Sequence, residues 1–437
     1  MPGGIIDLIS VGPHDDVLTP VQIDQITKKV LPPDTSLFEG QLLTYDRFQK
    51  ETISSQPTGT PNFGNTVQYE IMKVGDLISN MYLEIDMPQI SVATGSVGWI
   101  HQLGHYLLKE ITFKIGGMEI QKLRCNYTDV WSRLTVSKDQ RDGYNEMIGE
   151  TVVYNIIGPG ASVLTTVYDS PQKKESTKAG FKIIVPISLF FTLHWANALP
   201  TCALAFNKLY IEIKFRALSE CVIYYDGATA LTNPNVSLGQ SQLWIEFVFL
   251  TDESRNRFID NRLQYGFVQI QDNGDNGFPF SQSNPRIQLT HKLPIAELIY
   301  FVQEDAARAA NHWEFYDQYT GNETFLYPRP SITATHLYIS GSSRQDERTW
   351  HYNARSNLFD SHTCIPQSRS INTFIWALYP EERYPMGTSN FTRIQNPEIQ
   401  ITCPNINSSN AGRLFVFARS IQFIEIEKGY SQLGFAI

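Results

Sequence analysis

The sequence predicts an all-β fold built as two consecutive eight-stranded jelly rolls, a double jelly roll, with a few short helices in loops. Three observations predict it: a period-2 alternation of apolar and polar residues, an aromatic and sparsely charged composition, and an internal repeat. Aromatic residues make up 12% of the 437 positions and charged residues only 18%, against 42% hydrophobic. That mix suits packed sheet faces and not a disordered chain.

The alternation is plainest in Ile111-Thr112-Phe113-Lys114-Ile115, where odd positions are apolar and even ones polar, as in a half-buried strand. Gly116-Gly117 supplies the turn and Met118-Glu119-Ile120 the return strand of a β-hairpin. Leu209, Ile211, Ile213 and Phe215 line up on one strand face, with Tyr210, Glu212 and Lys214 on the wetter one. Helical spacing occurs in few places, chiefly 127–136 and 252–261; Asp252 or Ser254 is expected to cap the second. The Gly- and Asn-rich stretches 92–98, 154–180, 226–240 and 272–284 read as long loops. On a β scaffold such loops usually form functional surfaces or interfaces.

The repeat sets the domain count. Phe113-Lys114-Ile115-Gly116-Gly117 is echoed by Leu337-Tyr338-Ile339-Ser340-Gly341, 224 residues on by the difference between positions 113 and 337. Leu209-Tyr210-Ile211-Glu212-Ile213 pairs with Pro397-Glu398-Ile399-Gln400-Ile401, and 243–249 pairs with Leu414-Phe415-Val416-Phe417. Each half therefore supplies about eight strands, enough for one jelly roll. The expected division is an N-terminal arm at 1–36, a first jelly roll at 37–252, a connector at 253–262 and a second jelly roll at 263–437.

Charge and motifs narrow the function. Lys and Arg number 35 against 44 Asp and Glu, a net −9, so direct contact with nucleic acid is not expected. Cys125, Cys202, Cys221, Cys364 and Cys403 are scattered, with no Cys-x-x-Cys pair, and read as isolated buried thiols. Met1-Pro2-Gly3-Gly4 matches neither a secretory signal nor a myristoylation pattern. The stretch 183–196 is too short to span a bilayer and is broken by Pro186, Ser188, Thr192 and His194. A soluble protein made in a reducing cytosol is expected.

The phosphate loop, the His-Glu-x-x-His helix and the Gly-x-Ser-x-Gly elbow do not occur. His14-Asp15-Asp16, the pair His101 and His105, and Glu381-Glu382 each suggest chemistry, but adjacent side chains rarely converge on one ion or bond. No catalytic residue, metal or cofactor is expected. Five sequons stand out, at Asn126, Asn235, Asn322, Asn390 and Asn407. They are candidate glycosylation sites, and Asn322, in the loop between strands at 298–303 and 335–339, is the one expected to face outward. The unmodified state is favoured even there.

Several ordered segments resemble the double jelly-roll major capsid proteins of nucleocytoplasmic large DNA viruses, the group holding phycodnaviruses, iridoviruses and marseilleviruses. They are Phe63-Gly64-Asn65 with Gly75-Asp76-Leu77-Ile78, the Ile115-Gly116-Gly117 hairpin, Asp129-Val130-Trp131, and the run from Gly143 to Gly149. Further on come Val185-Pro186-Ile187-Ser188-Leu189-Phe190-Phe191, Ala198-Leu199-Pro200, Asn390-Phe391-Thr392-Arg393-Ile394 and the tail Leu433-Gly434-Phe435-Ala436. The arm departs from the family's aromatic and basic pattern at 26–35. The resemblance implies a non-enzymatic virion protein, made and assembled in the host cytoplasm. Its homotrimer would form a pseudo-hexagonal capsomer of an icosahedral capsid. Implied partners are neighbouring capsomers, minor capsid proteins and a penton protein, with an internal viral membrane met only indirectly. Some relatives carry glycans on exterior loops.

The alternative is a β-sandwich carbohydrate-binding protein or glycoside hydrolase, with Trp195, Trp313 and Trp350 lining a sugar groove. Such a protein does not require the repeat.

Overall fold

The computed structural model describes residues 47–435 except 152, 158–162, 168–169, 320–328 and 383–385. The first half contributes β1 (Phe48–Ser55), β2 (Thr66–Ile71), β3 (Leu77–Met87), β4 (Leu108–Ile115), β5 (Met118–Arg124), β6 (Phe181–Pro186), β7 (Leu209–Phe215) and β8 (Ser241–Leu250). The second contributes β9 (Leu263–Asp272), β10 (Arg286–Gln288), β11 (Pro294–Glu304), β12 (Ala334–Ile339), β13 (Ser342–Thr349), β14 (Asn372–Ile375), β15 (Glu398–Thr402) and β16 (Gly412–Glu427).

Pairing is antiparallel throughout, in the orders β1-β8-β3-β6 and β2-β7-β4-β5, then β9-β16-β11-β14 and β10-β15-β12-β13. Adding eight to each strand number of the first half gives the second. The chain crosses between the two sheets of a sandwich at nearly every step, which is the jelly-roll path. The predicted hairpin and its echo have the same turn: Gly116 and Gly117 lie at φ 57 and 86, Ser340 and Gly341 at φ 53 and 78. Two consecutive positive φ values characterise the tight turn that matches strand twist.

Inside the first sandwich, Leu209, Ile211 and Ile213 of β7 meet the inward faces of Leu83 and Ile85 on β3 and Leu243 and Ile245 on β8, all essentially unexposed. β11 and β16 are different. Leu298, Tyr300 and Val302 join the second sandwich's own core with Leu414 and Val416. The alternate residues Ile299, Phe301, Phe415 and Phe417 belong to the cluster that fills the first sandwich. These strands are buried on both faces, which is why they read as continuous apolar runs.

The expected helices are present as α1 (Cys125–Thr135) and α2 (Asp252–Asp260). The expected cap of α2 is corrected: Thr251 occupies the cap position with extended backbone and no side-chain capping bond. Arg255 pins the helix instead, through Asp76 at 2.6 Å. The expected loops also carry more structure than their composition suggests. Ser96–Trp99 pairs with Val222–Tyr225, Thr177–Lys178 with Ile90–Ser91, Val153–Ile157 with Val163–Val167, and Phe278–Phe280 with β16. Long excursions that shield one another must satisfy their backbone groups, and short ladders do so.

Candidate functional site

The candidate functional element of this fold is the seam between the sandwiches together with the loop-bearing ends it orients. α1 follows β5 directly and presents Tyr127, Trp131 and Leu134 at helical spacing. Tyr127 stacks on Trp131 at 6.0 Å and packs against Phe417 of β16 at 5.6 Å. The Arg419 guanidinium sits 3.9 Å over the Trp131 ring and donates to Glu297 Oε2 at 3.1 Å and to the Pro380 carbonyl at 2.7 Å.

Glu297 in turn meets His362 Nε2 at 2.6 Å, and His362 Nδ1 lies 2.8 Å from Glu381 Oε1. With a carboxylate on each ring nitrogen, the imidazole satisfies both contacts only as a two-proton cation. Burial opposes that charge, but Glu297 and then Glu381 outweigh it and hold His362 up at about 9. Burial alone would raise the Glu297 carboxyl, yet His362 and Arg419 keep it below the usual range.

A second buried group lies on the other side of α1. Asp129 accepts from Tyr106 at 2.9 Å, from Tyr316 of the second half at 2.7 Å, and from Arg133 at 2.9 Å. Arg133 continues to the Glu314 carbonyl at 3.3 Å. At the strand edge, Gln121 of β5 reaches the Val268 carbonyl of β9, and Arg124 reaches Asp272 at 2.9 Å. Those contacts make β5 and β9 run side by side in the same sense. The connections β1–β2, β3–β4, β5–β6 and β7–β8 therefore gather at one end of the molecule with their second-half counterparts. An apolar seam threaded by ion pairs fixes the angle between two such units, where a small polar contact would leave them free to move.

Sequence reasoning missed this seam. Glu297, Arg419, His362 and Trp131 are distant in the chain and unremarkable singly. The available signal was the absence of alternation in Ile295–Val302 and Leu414–Ala418, which calls for apolar cover on both faces.

The candidates named from sequence are dispersed. His101 bonds Glu150 at 2.9 Å, while buried His105 lies 2.9 Å from the Tyr144 hydroxyl, so the two share no site. Glu381 serves His362 and Thr363, and Glu382 is exposed. His14, Asp15 and Asp16 lie outside the described residues. No disulfide forms; Cys125, Cys221 and Cys403 are buried as expected, but Cys202 and Cys364 are only half-buried.

Among the sequons, Asn235 and Asn407 are exposed at the loop-bearing end, and Asn390 is exposed at the opposite end, in the β14–β15 connection. Asn126 is corrected: at 7% exposure within α1 it cannot take a glycan in the folded chain. Asn322 lies outside the described residues.

The proposed sugar-groove tryptophans do not form a common surface. Trp313 is buried with the Arg216 guanidinium 4.0 Å from its ring, Trp195 carries Lys50 at 4.2 Å, and Trp350 is half-buried with Arg369 at 5.4 Å. Among the described residues no helix is long and apolar enough to cross a membrane, and no cluster of His, Cys, Asp or Glu could hold a metal ion.

A duplicated jelly roll locked by a buried seam defines a protein of the double jelly-roll class. Residues 36–251 match the family profile for the major capsid protein N-terminus, and residues 254–431 that for the large eukaryotic DNA virus major capsid protein. The chain belongs to this family and is a major capsid protein of the large eukaryotic DNA virus type. It is 24% identical to the major capsid proteins of Phaeocystis pouchetii virus, over 538 residues, and Pyramimonas orientalis virus, over 454, covering 100% of both chains in each case. The Faustovirus major capsid protein superposes with TM-score 0.76 at 12% identity, covering 95% of this chain and 100% of that one. A chain of the PBCV-1 virus capsid gives 0.72 at 19%, covering 92% and 100%.

Proposed function

We propose that three copies of this chain associate into a capsomer of pseudo-hexagonal outline that tiles an icosahedral shell, with neighbouring capsomers, minor capsid proteins and a penton protein as partners. The carrying observation is the duplication: two sandwiches of identical strand order, held with their loops at one end, offer six similar wedges around a threefold axis. Apolar side chains left exposed in the two connections that His194 and the Glu381 carbonyl join across the halves at 3.1 Å, Trp195, Leu378, Tyr379 and Met386, supply contact area of the kind that subunit association covers. In this reading the chain is an arm at 1–36, sandwiches at 37–252 and 263–437 and a connector at 253–262. It performs no catalysis and is made and assembled in the host cytoplasm. The loop end bearing Asn235 and Asn407 faces outward.

Light scattering on the purified chain tests the association. A stable particle of about 150 kDa, three times 49.7 kDa, is expected. A persistent monomer would overturn the six-wedge arrangement.

A further inference from the structure

At the loop-bearing end of the seam the two sandwiches leave a cleft of about 120 Å³ between them. Lys109, Arg124, Asn126 and Arg216 line it from the first half, and Arg308 and Trp313 from the second. The cations are not equally matched. Arg124 is held by Glu110 and Asp272, each at 2.9 Å, and by Asp275, which also lies 3.5 Å from Lys109. Arg216 has Glu220 at 3.1 Å and donates to the Tyr106 carbonyl at 2.8 Å.

Arg308 has no carboxylate within ion-pair distance among the described residues. Its partners are the neutral Gln303 Oε1 at 3.3 Å and the ring faces of Trp313 and Phe415 at 5.2 and 5.8 Å. Burial, the Arg413 charge and the Arg216 charge all push its guanidinium below the usual range; Asp305, already committed to Arg413 at 2.7 Å, offsets this only in part. Asn126 also borders the cleft, with its Oδ1 contacted by the Cys125 thiol at 3.5 Å. No hydrogen bond among the described residues uses its Nδ2, which leaves an amide donor for the cleft.

A half-buried guanidinium without a counter-ion is costly, and a planar fork beside an ammonium and an amide donor matches a tetrahedral oxyanion. We propose that the cleft binds a small oxyanion of the phosphate class, held by Arg308 with Lys109 and Asn126, which bridges the two sandwiches. Glu220 is paired with Arg216 and Asp275 with Arg124, so they do not neutralise Arg308; Lys109 lies a looser 3.5 Å from Asp275 and, with three donors, keeps N–H groups for the cleft. The cleft volume is ample for a phosphoryl group.

Isothermal titration of the full chain with inorganic phosphate, in chloride of matched ionic strength, tests the assignment. Saturable binding is expected, weakened roughly tenfold or more in Arg308→Gln and in Lys109→Gln, as loss of a charge-assisted bond implies. It should be unchanged in Lys428→Gln, a control on a lysine 87% exposed. A parallel arm with adenosine monophosphate separates the sources: competition with phosphate marks a phosphomonoester ligand, and its failure marks the free ion. Two variants guard against a folding defect in either one, and their circular dichroism must match wild type. Absence of saturable binding in the wild type, or equal weakening by Lys428→Gln, would overturn the proposal. So would retention of full affinity in a folded Arg308→Gln.

Discussion

His362 and Glu297 meet at 2.6 Å with neither side chain exposed to solvent. The imidazolium is raised from 6.5 to about 9 against the opposition of burial. A group whose folded value is raised stabilises fully below its unfolded value and loses that contribution as pH climbs through the folded one. Stability should therefore hold near pH 6 and decline from about 6.5 towards 9, by about 3 kcal/mol for the coupled pair. Chemical denaturation across this window reads the decline directly. His362→Gln should lower stability near pH 6 and flatten the alkaline limb, and an unchanged limb would reject the assignment.

His105 carries the opposite sign. Burial pushes it down to about 4, with Asp129 pulling up and Arg133 and Arg141 pushing down. The unfolded state then takes up the proton first, so stability is complete above about 6.5 and drains as pH falls towards 4. His291, also lowered to about 4 chiefly by burial, shares this limb. His105→Asn should reduce the slope of stability between pH 6.5 and 4.5 by about half if the two histidines contribute equally. The slope is the readout, since the variant also loses the Tyr144 contact.

Asp129 tests the coupling of the sandwiches. Its carboxylate gathers Tyr106 and Arg133 from one half and Tyr316 from the other. Asp129→Ala leaves the half-buried Arg133 guanidinium without its carboxylate, a loss of about 3 kcal/mol, the low end of the range for a buried pair. Because that loss falls on the seam, urea unfolding should separate into two transitions where the wild type shows one. A single transition merely shifted to lower urea would place the coupling in the apolar contacts instead.

The parts legible in the sequence were those where one face is wet. β7 alternates because Tyr210, Glu212 and Lys214 face outward while Leu209, Ile211 and Ile213 do not, and the hairpin at Gly116-Gly117 announces itself by glycines. β11 and β16 were legible as strands at 298–303 and 414–417, but their second buried face was not: Phe301 and Phe417 cover the first sandwich, a contact made far along the chain. The polar seam was illegible for another reason. His362 becomes a cation only through Glu297 and Glu381, and nothing local in the chain records that meeting. The stretch 92–98 read as loop because its Gly95 and Gly98 mask a strand whose partner, Val222–Tyr225, lies far along the chain.

The duplication itself admits a direct energetic test. Gly117 and Gly341 occupy the second turn position of their hairpins at φ 86 and 78, and a Cβ added at either would touch nothing within 4 Å. Any cost of alanine there is conformational and not steric, since an L residue in the left-handed region loses roughly 1–2 kcal/mol. Gly117→Ala and Gly341→Ala should therefore destabilise by similar amounts, despite lying in different sandwiches with different neighbours. Their effects should also add within about 0.5 kcal/mol in the double variant, as distant sites without shared partners do. Denaturation midpoints of the two single variants and the double variant supply the measurement. Unequal costs would mean that the two hairpins, though alike in backbone, are not equivalent in the folded chain.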